Sequence, residues 1–420
     1  MTARGRTRLP VPVLTSRRVR RNRRIWAAGL LMLTLLLALL AERGGNSHSA
    51  ARKLHHPKAH QSSVPQPGSN PRLDPDWDGN GKPVMFAFGG DVHFPAGTNL
   101  GDRLAADPST ALGPTVPQLL SGANLTMTNF ESAMSNDNCP QAEPKQYVFY
   151  APSTAIEAFK GAGVTLITEA NNHGKDCGSP GLQTSLTAIT QSGYPILGIG
   201  RDAAGAFTPY QVAIDGEKIA VIAATQVIDS DLQTAWTATT DQAGLASAYD
   251  VNDLVSAVES ARRVSDTVIV YLHWGTQLDD CPNPLQEPLA QVLVAAGADI
   301  VVGTHAHVLL GGGYLGSAYV DYGLGNFAFY DNSPPENESG SLVITATGRH
   351  IDNVVWRPAV IVDDLPKPLT GSAATAAIQS WNAARGCTNA TAAATASIAT
   401  PATETSPAPP AKVKTLSVDS

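Results

Sequence analysis

Short apolar runs and longer amphipathic stretches alternate along the middle of the chain. The runs cover residues 84–88 (VMFAF), 164–168 (VTLIT), 219–224 (IAVIAA), 267–272 (TVIVYL) and 300–302 (IVV). They are brief, rich in β-branched residues and apolar at successive positions, as central strands buried on both faces are. Helical periodicity separates several of them, over residues 153–162, 181–192, 251–264 and 285–296. Asp250 or Asn252 suits the cap of the third helix, and Gly297 suits the end of the fourth. Three further strand-like runs follow, at 318–330, 341–347 and 354–362, with little helix between them. The pattern predicts an α/β fold.

The ends of the chain differ from this middle. Residues 1–24 hold nine arginines and no acidic residue, and residues 25–41 (IWAAGLLMLTLLLALLA) carry no charge. A basic flank before an apolar segment predicts a transmembrane anchor that leaves the remainder outside the cytoplasm, or, alternatively, a signal whose cleavage releases a secreted protein. Residues 42–82 read as a flexible linker, 83–388 as the folded domain, and 389–420, almost wholly Ala, Thr, Ser and Pro, as a disordered tail. The whole chain carries −7; without the nine arginines, 20 basic residues face 36 acidic ones, about −16. Nucleic acid is therefore excluded as the main partner. Four cysteines, Cys139, Cys177, Cys281 and Cys387, predict two disulfides outside the cytoplasm, with three connectivities open.

Ligand-type residues recur where the apolar runs end. Asp91 and His93 follow the first, and Glu131 follows residues 125–128. Asn172 and His173 follow VTLIT, His273 follows TVIVYL, and His305 and His307 follow IVV. Sites in open α/β sheets form at the carboxyl ends of strands. Spacings of the D-x-H and H-x-H kind put both side chains on one side of an extended segment, where they can reach one metal or a pair. Carboxylate, amide and imidazole donors together suit divalent ions such as Mn, Fe or Zn. Asp91 or Glu131 suits a bridging position.

The ordered set GDV (90–92), NFE (129–131), ANNHGKDCG (170–178), HWG (273–275), GTHAHV (303–308) and YGLGNF (322–327) resembles the CapA, or poly-γ-glutamate capsule synthesis, family, whose fold belongs with the calcineurin-like metallophosphoesterases. The resemblance spans residues 86–327. It implies a four-layer α-β-β-α sandwich and two divalent metal ions. By the same resemblance, Asp91, His93 and His307 hold one ion and Asn172, His273 and His305 the other, with Asp91 and Glu131 bridging. His173 matches the family's proton donor, Asp176 orients it, and Asn326 borders the site; independently of the resemblance, Trp274 is a candidate to stack on a substrate. Gln277 stands where family members commonly have Glu, and Glu131 where phosphoesterases carry Asp. The implied function is a dinuclear-metal hydrolase acting through a metal-bound hydroxide on a phosphoester-like bond or a cell-envelope polymer; a metallopeptidase for γ-glutamyl bonds is a third reading. The alternative is a non-catalytic accessory or export subunit that binds polymer or the other subunits of a polymer-synthesis complex.

Overall fold

The computed structural model describes residues 70–392 and the strand Lys414–Thr415. The expected anchor or signal at 25–41, with the basic tail before it, lies outside the described residues, as do residues 42–69 of the linker and most of the tail. No helix among the described residues is long and apolar enough to cross a membrane.

Two mixed sheets carry the domain. The strands of the first are β1 (Val84–Val92), β2 (Leu125–Phe130), β3 (Leu166–Thr168) and β4 (Ile196–Leu197). In the second, β5 (Tyr210–Ile214) precedes β6 (Glu217–Thr225), β7 (Thr267–His273), β8 (Ile300–Thr304), β9 (Gly312–Leu315) and β10 (Ala318–Asp321). The chain then returns to the first sheet with β11 (Asn326–Ala328), β12 (Glu338–Thr347), β13 (His350–Val362) and β14 (Leu365–Pro368), and β15 (Lys414–Thr415) joins the second. The first sheet runs β14-β13-β12-β1-β2-β3-β4, with β11 beside β1; the second runs β9-β10-β8-β7-β6-β5-β15. Strands β1 to β4 are mutually parallel, and so are β6, β7, β8 and β10.

The alternation of side chains decides the layering. Phe86 and Phe88 meet Ile219, Val221, Ile269 and Tyr271 in one apolar cluster between the sheets. Ala87 and Val92, on the opposite face of β1, pack with Leu104, Val116, Phe159 and Leu182 from the helices Asn99–Ala106 (α1), Thr115–Leu120 (α2), Ala155–Gly161 (α3) and Gly178–Ser192 (α4). Ile222, Val268 and Val270 meet Leu254, Val258 and Leu293 of Val251–Val264 (α5) and Gln286–Ala296 (α6) on the far face of the second sheet. Helices thus cover the outer face of each sheet. As expected, Asp250 caps α5, accepting from the Asn252 N–H, and Gly297 ends α6 with φ +114°.

Two boundaries differ from the sequence reading. Residues 318–330 are not one strand. Residues 322–325 cross between the sheets, so β10 lies in one sheet and β11 in the other. The crossing needs a left-handed turn at Gly325 (φ +63°), and a side chain at Gly90 would strike the Gly325 carbonyl. Ordered structure also begins ahead of residue 83: Arg72 and Trp77 both donate to Asp266 Oδ1 at 2.9 and 3.0 Å, tying residues 70–82 to the second sheet.

Candidate metal centre

Because β1 to β3 run parallel within one sheet and β7 and β8 within the other, their carboxyl ends bring five loops together. Asp91 sits at the end of β1, fully buried, in register with Asn129 on one side and Asn326 on the other. Its Oδ1 accepts from Asn129 Nδ2 at 2.7 Å and its Oδ2 from the His305 backbone N–H at 3.1 Å. His305 and His307 both have positive φ, +100° and +58°, conformations that cost about 1–3 kcal/mol each and persist where the surroundings demand them.

The imidazoles converge on Glu131. Its Oε1 lies 3.7 Å from His273 Nε2, 3.7 Å from His307 Nε2 and 4.0 Å from His173 Nε2, yet neither carboxylate oxygen has a hydrogen-bond partner, and both are buried. His273 Nε2 is also 3.1 Å from His305 Nδ1 and 2.6 Å from Asn172 Oδ1. His307 Nδ1 stands 3.6 Å from Asp91 Oδ2. Two groups result: Glu131, His273 and His305, and Asp91, Glu131 and His307, each with ligand atoms within 4.8 Å of one another.

These observations test the fit of a metal. Donors that share an ion at ~2.0–2.2 Å stand ~3–3.5 Å apart, close to the separations seen here. A buried carboxylate without a hydrogen bond costs free energy that a cation would offset. Burial pushes the Asp91 and Glu131 carboxyls up, and for Glu131 the neighbouring Asp91 adds to the rise. Burial, and then repulsion from neighbouring imidazoles and Lys145, push His273 and His305 well below the ordinary imidazole value. Imidazoles held neutral are competent ligands, and the acids need positive charge beside them to stay ionised. The residues fit a metal-binding role.

His93 stands apart from both groups. Its Nδ1 pairs with Ser132 Oγ at 2.6 Å, and its ring stacks on Phe149 with centroids 4.0 Å apart. Phe149 also stacks on His173 at 4.0 Å, so the phenyl ring separates the two imidazoles. His173 Nδ1 pairs with Asp176 Oδ2 at 2.5 Å. Burial lowers the His173 pKa, while Asp176 opposes the shift. Asn326 is fully buried; its Oδ1 lies 2.8 Å from His307 Nδ1 and its Nδ2 donates to the Glu336 carbonyl, so it holds His307 instead of facing a substrate. Trp274 is a correction to the expected substrate contact. It is fully buried under the second sheet, donates from Nε1 to the Tyr322 carbonyl at 3.0 Å and stacks on Tyr322. The indole fits because Gly303 carries no side chain.

A cleft of about 820 Å³ opens above His173, His305 and His307, walled by Phe149, Phe329 and Tyr330, with Asp229, Asp331 and Glu336 among its lining. Lys145 lines it too, 2.7 Å from Asp176 Oδ1. Neither Lys145 nor Phe149 follows an apolar run, and the only sequence signal for their loop is the cysteine pair that anchors it. Of the three possible connectivities the structure has Cys139–Cys177 and Cys281–Cys387, with Cα separations of 4.9 and 5.7 Å.

Residues 85–331, more than half of the chain, match the family described as bacterial capsule synthesis protein PGA_cap. The capsule biosynthesis protein CapA of Bacillus anthracis is 31% identical over 238 residues, 55% of this chain and 56% of that protein. The PGA biosynthesis protein CapA of Bacillus subtilis (strain 168) is 29% identical over 203 residues, 48% of this chain and 52% of that protein. The chain thus spans about half the length of the curated relatives it matches. Among solved structures, the sulfate thiohydrolase SoxB of Thermus thermophilus aligns with a TM-score of 0.39 and 13% identity, over 71% of this chain and 60% of that one.

Proposed function

Since this chain belongs to the bacterial capsule synthesis protein PGA_cap family, we propose that its cleft is a dinuclear-metal hydrolase site, acting on a phosphoester-like bond in the making or processing of a cell-envelope polymer. The fold, on this reading, is the four-layer sandwich of calcineurin-like phosphoesterases. The domain works outside the cytoplasm, a setting that its two disulfides suit, attached through residues 25–41 or released by cleavage.

One observation carries the reading: the Glu131 carboxylate lies among three imidazoles without a hydrogen bond. Glu131 with His273 and His305 would hold one ion, and Asp91 with Glu131 and His307 the other, with Asn172 Oδ1 next to the first. Such ions supply Lewis acidity and a lowered pKa for bound water. The chain's own residues do the rest. His173 donates from Nδ1 to Asp176 and is left with Nε2 to carry a proton to a leaving oxygen, a role worth about 10²–10⁴-fold. Phe149, stacked on the His173 ring, lines the cleft with Phe329 and Tyr330. Asn326 and the His305 backbone hold His307 and Asp91 in place.

The carboxylates of Asp229, Asp331 and Glu336 favour a second reading. A polyanion meets like charge at these residues, so the chain then serves polymer synthesis as an accessory subunit without cutting the polymer. The test assays the full chain against bis(p-nitrophenyl) phosphate and poly-γ-glutamate, as wild type, Asp91→Asn and His173→Ala. Hydrolysis lost in both variants supports the enzyme. Stoichiometric metal with no turnover of either compound supports the accessory role.

A further inference from the structure

Asp176 is fully buried, and its two oxygens receive three donors from two parts of the chain. Oδ2 pairs with His173 Nδ1 and accepts the Phe149 N–H at 2.7 Å; Oδ1 accepts Lys145 Nζ at 2.7 Å. Lys145 Nζ also donates to the backbone carbonyl of Asn172. One ammonium therefore grips both ends of the Asn172–Asp176 turn, which presents the Asn172 amide at its start and the His173 imidazole inside it.

Lys145 is itself held. Its Nζ lies 4.9 Å over the Trp236 ring and 3.5 Å from Asp229 Oδ2, and its side chain is 9% exposed. Its loop is fastened to the same turn at two more points, the Cys139–Cys177 disulfide and the Glu143 N–H to the Asp176 carbonyl at 2.8 Å. Fixing a long, flexible lysine costs side-chain entropy, and a buried carboxylate without a cation costs more. A neutral residue at position 145 would leave His173 as the charge partner of Asp176 and the Asn172 carbonyl with one donor fewer.

We propose that Lys145 is a positioning residue for the proton donor: by bridging Asp176 and the Asn172 carbonyl it holds the His173 ring in one orientation towards the cleft. This rests on the hydrolase reading for its kinetic consequence but not for its structural one. The test compares the full chain as wild type, Lys145→Met, Lys145→Gln and Lys145→Arg. Hydrolysis is measured on two phosphodiesters, one with a p-nitrophenyl and one with an alkyl leaving group, together with bound metal per chain. The alkyl ester needs the proton and the activated ester hardly does. The neutral variants should lose roughly 100-fold on the alkyl ester, under about 10-fold on the p-nitrophenyl ester, and keep their metal. Lys145→Arg should recover most of the loss. Equal loss on both esters, or none, overturns the proposal.

A second readout needs no activity. Long-range ¹⁵N–¹H spectra of histidine-labelled chain should show one sharp, Nδ1-protonated His173 in the wild type and a mixed or broadened signal in Lys145→Met and Lys145→Gln. An unchanged His173 signal in both neutral variants overturns the proposal even where no ester is cut. Absence of hydrolysis by the wild type, with a changed His173 signal, removes the hydrolase reading and leaves the positioning role standing.

Discussion

Glu131 Oε1 lies 3.7 Å from His307 Nε2, in a buried space where the carboxylate accepts no hydrogen bond. That separation is too long for direct pairing and close to that of two donors on one cation. Glu131 belongs to both donor groups, so a change there touches both. Glu131→Gln should weaken metal affinity by about 100-fold or more. It should also shrink the rise in Tm that added Mn or Zn gives the wild type, because that rise follows metal binding to the folded state. Calorimetric titration and thermal melts with and without metal check both effects.

Glu169 gives the fold a pH dependence of its own. It sits beyond β3, fully buried, accepting from Ser185 Oγ at 2.7 Å, and burial pushes its carboxyl up to about 8. A folded pKa above the unfolded one means that the folded state keeps a proton which the unfolded chain has released. The associated stability is present below the ordinary value near 4.5 and is lost as pH rises through about 8. Glu169→Gln keeps a donor and acceptor there without the titration. Its stability relative to wild type should improve by on the order of a few kcal/mol between pH 4.5 and pH 8, as read by urea unfolding across that range.

Trp274 distinguishes core from cleft. It is fully buried against Tyr322 and Gly303, so Trp274→Ala should cost about 3–5 kcal/mol of stability. The variant that remains folded should keep the wild-type KM for any substrate that is turned over. Denaturant unfolding and a KM measurement below the melting range test this together.

The Cys139–Cys177 bond closes a sequence separation of 38 residues and anchors the Lys145 loop. Replacing both cysteines by serine should lower stability by about 2–4 kcal/mol. Protease cleavage within residues 140–148 should speed up while the rest of the domain stays resistant. Limited proteolysis followed by mass spectrometry reads the site of the cut.

The central strands were legible because a covered strand must be apolar on both faces, and 84–88, 219–224 and 267–272 are. The candidate donors were legible because each follows such a strand: Asp91, Asn172, His273, His305 and His307 all stand where a buried run stops. What escaped depends on contacts between distant segments. Lys145 and Phe149 come to the site on a loop tied by a disulfide, and no periodicity marks them. Helix Gly371–Ala384 (α7), whose Trp381 stacks on Trp356 of β13, has the same Ala, Thr and Ser bias as the tail behind it. His93 falls outside the two donor groups for a different reason. The D-x-H spacing puts it near Asp91, with Nδ1 on Ser132 Oγ and one ring face on Phe149. Trp274 was misplaced because adjacency to His273 along a strand means the opposite face of the sheet.

The most direct test of the account is the metal content of the full chain, purified without chelator and measured by plasma mass spectrometry beside Glu131→Gln and a double variant, His273→Ala with His307→Ala. About two divalent ions per chain are expected in the wild type, a clear deficit in Glu131→Gln and almost none in the double variant. Wild-type chain that holds no divalent ion, even after incubation with excess Mn, Fe or Zn, would contradict it.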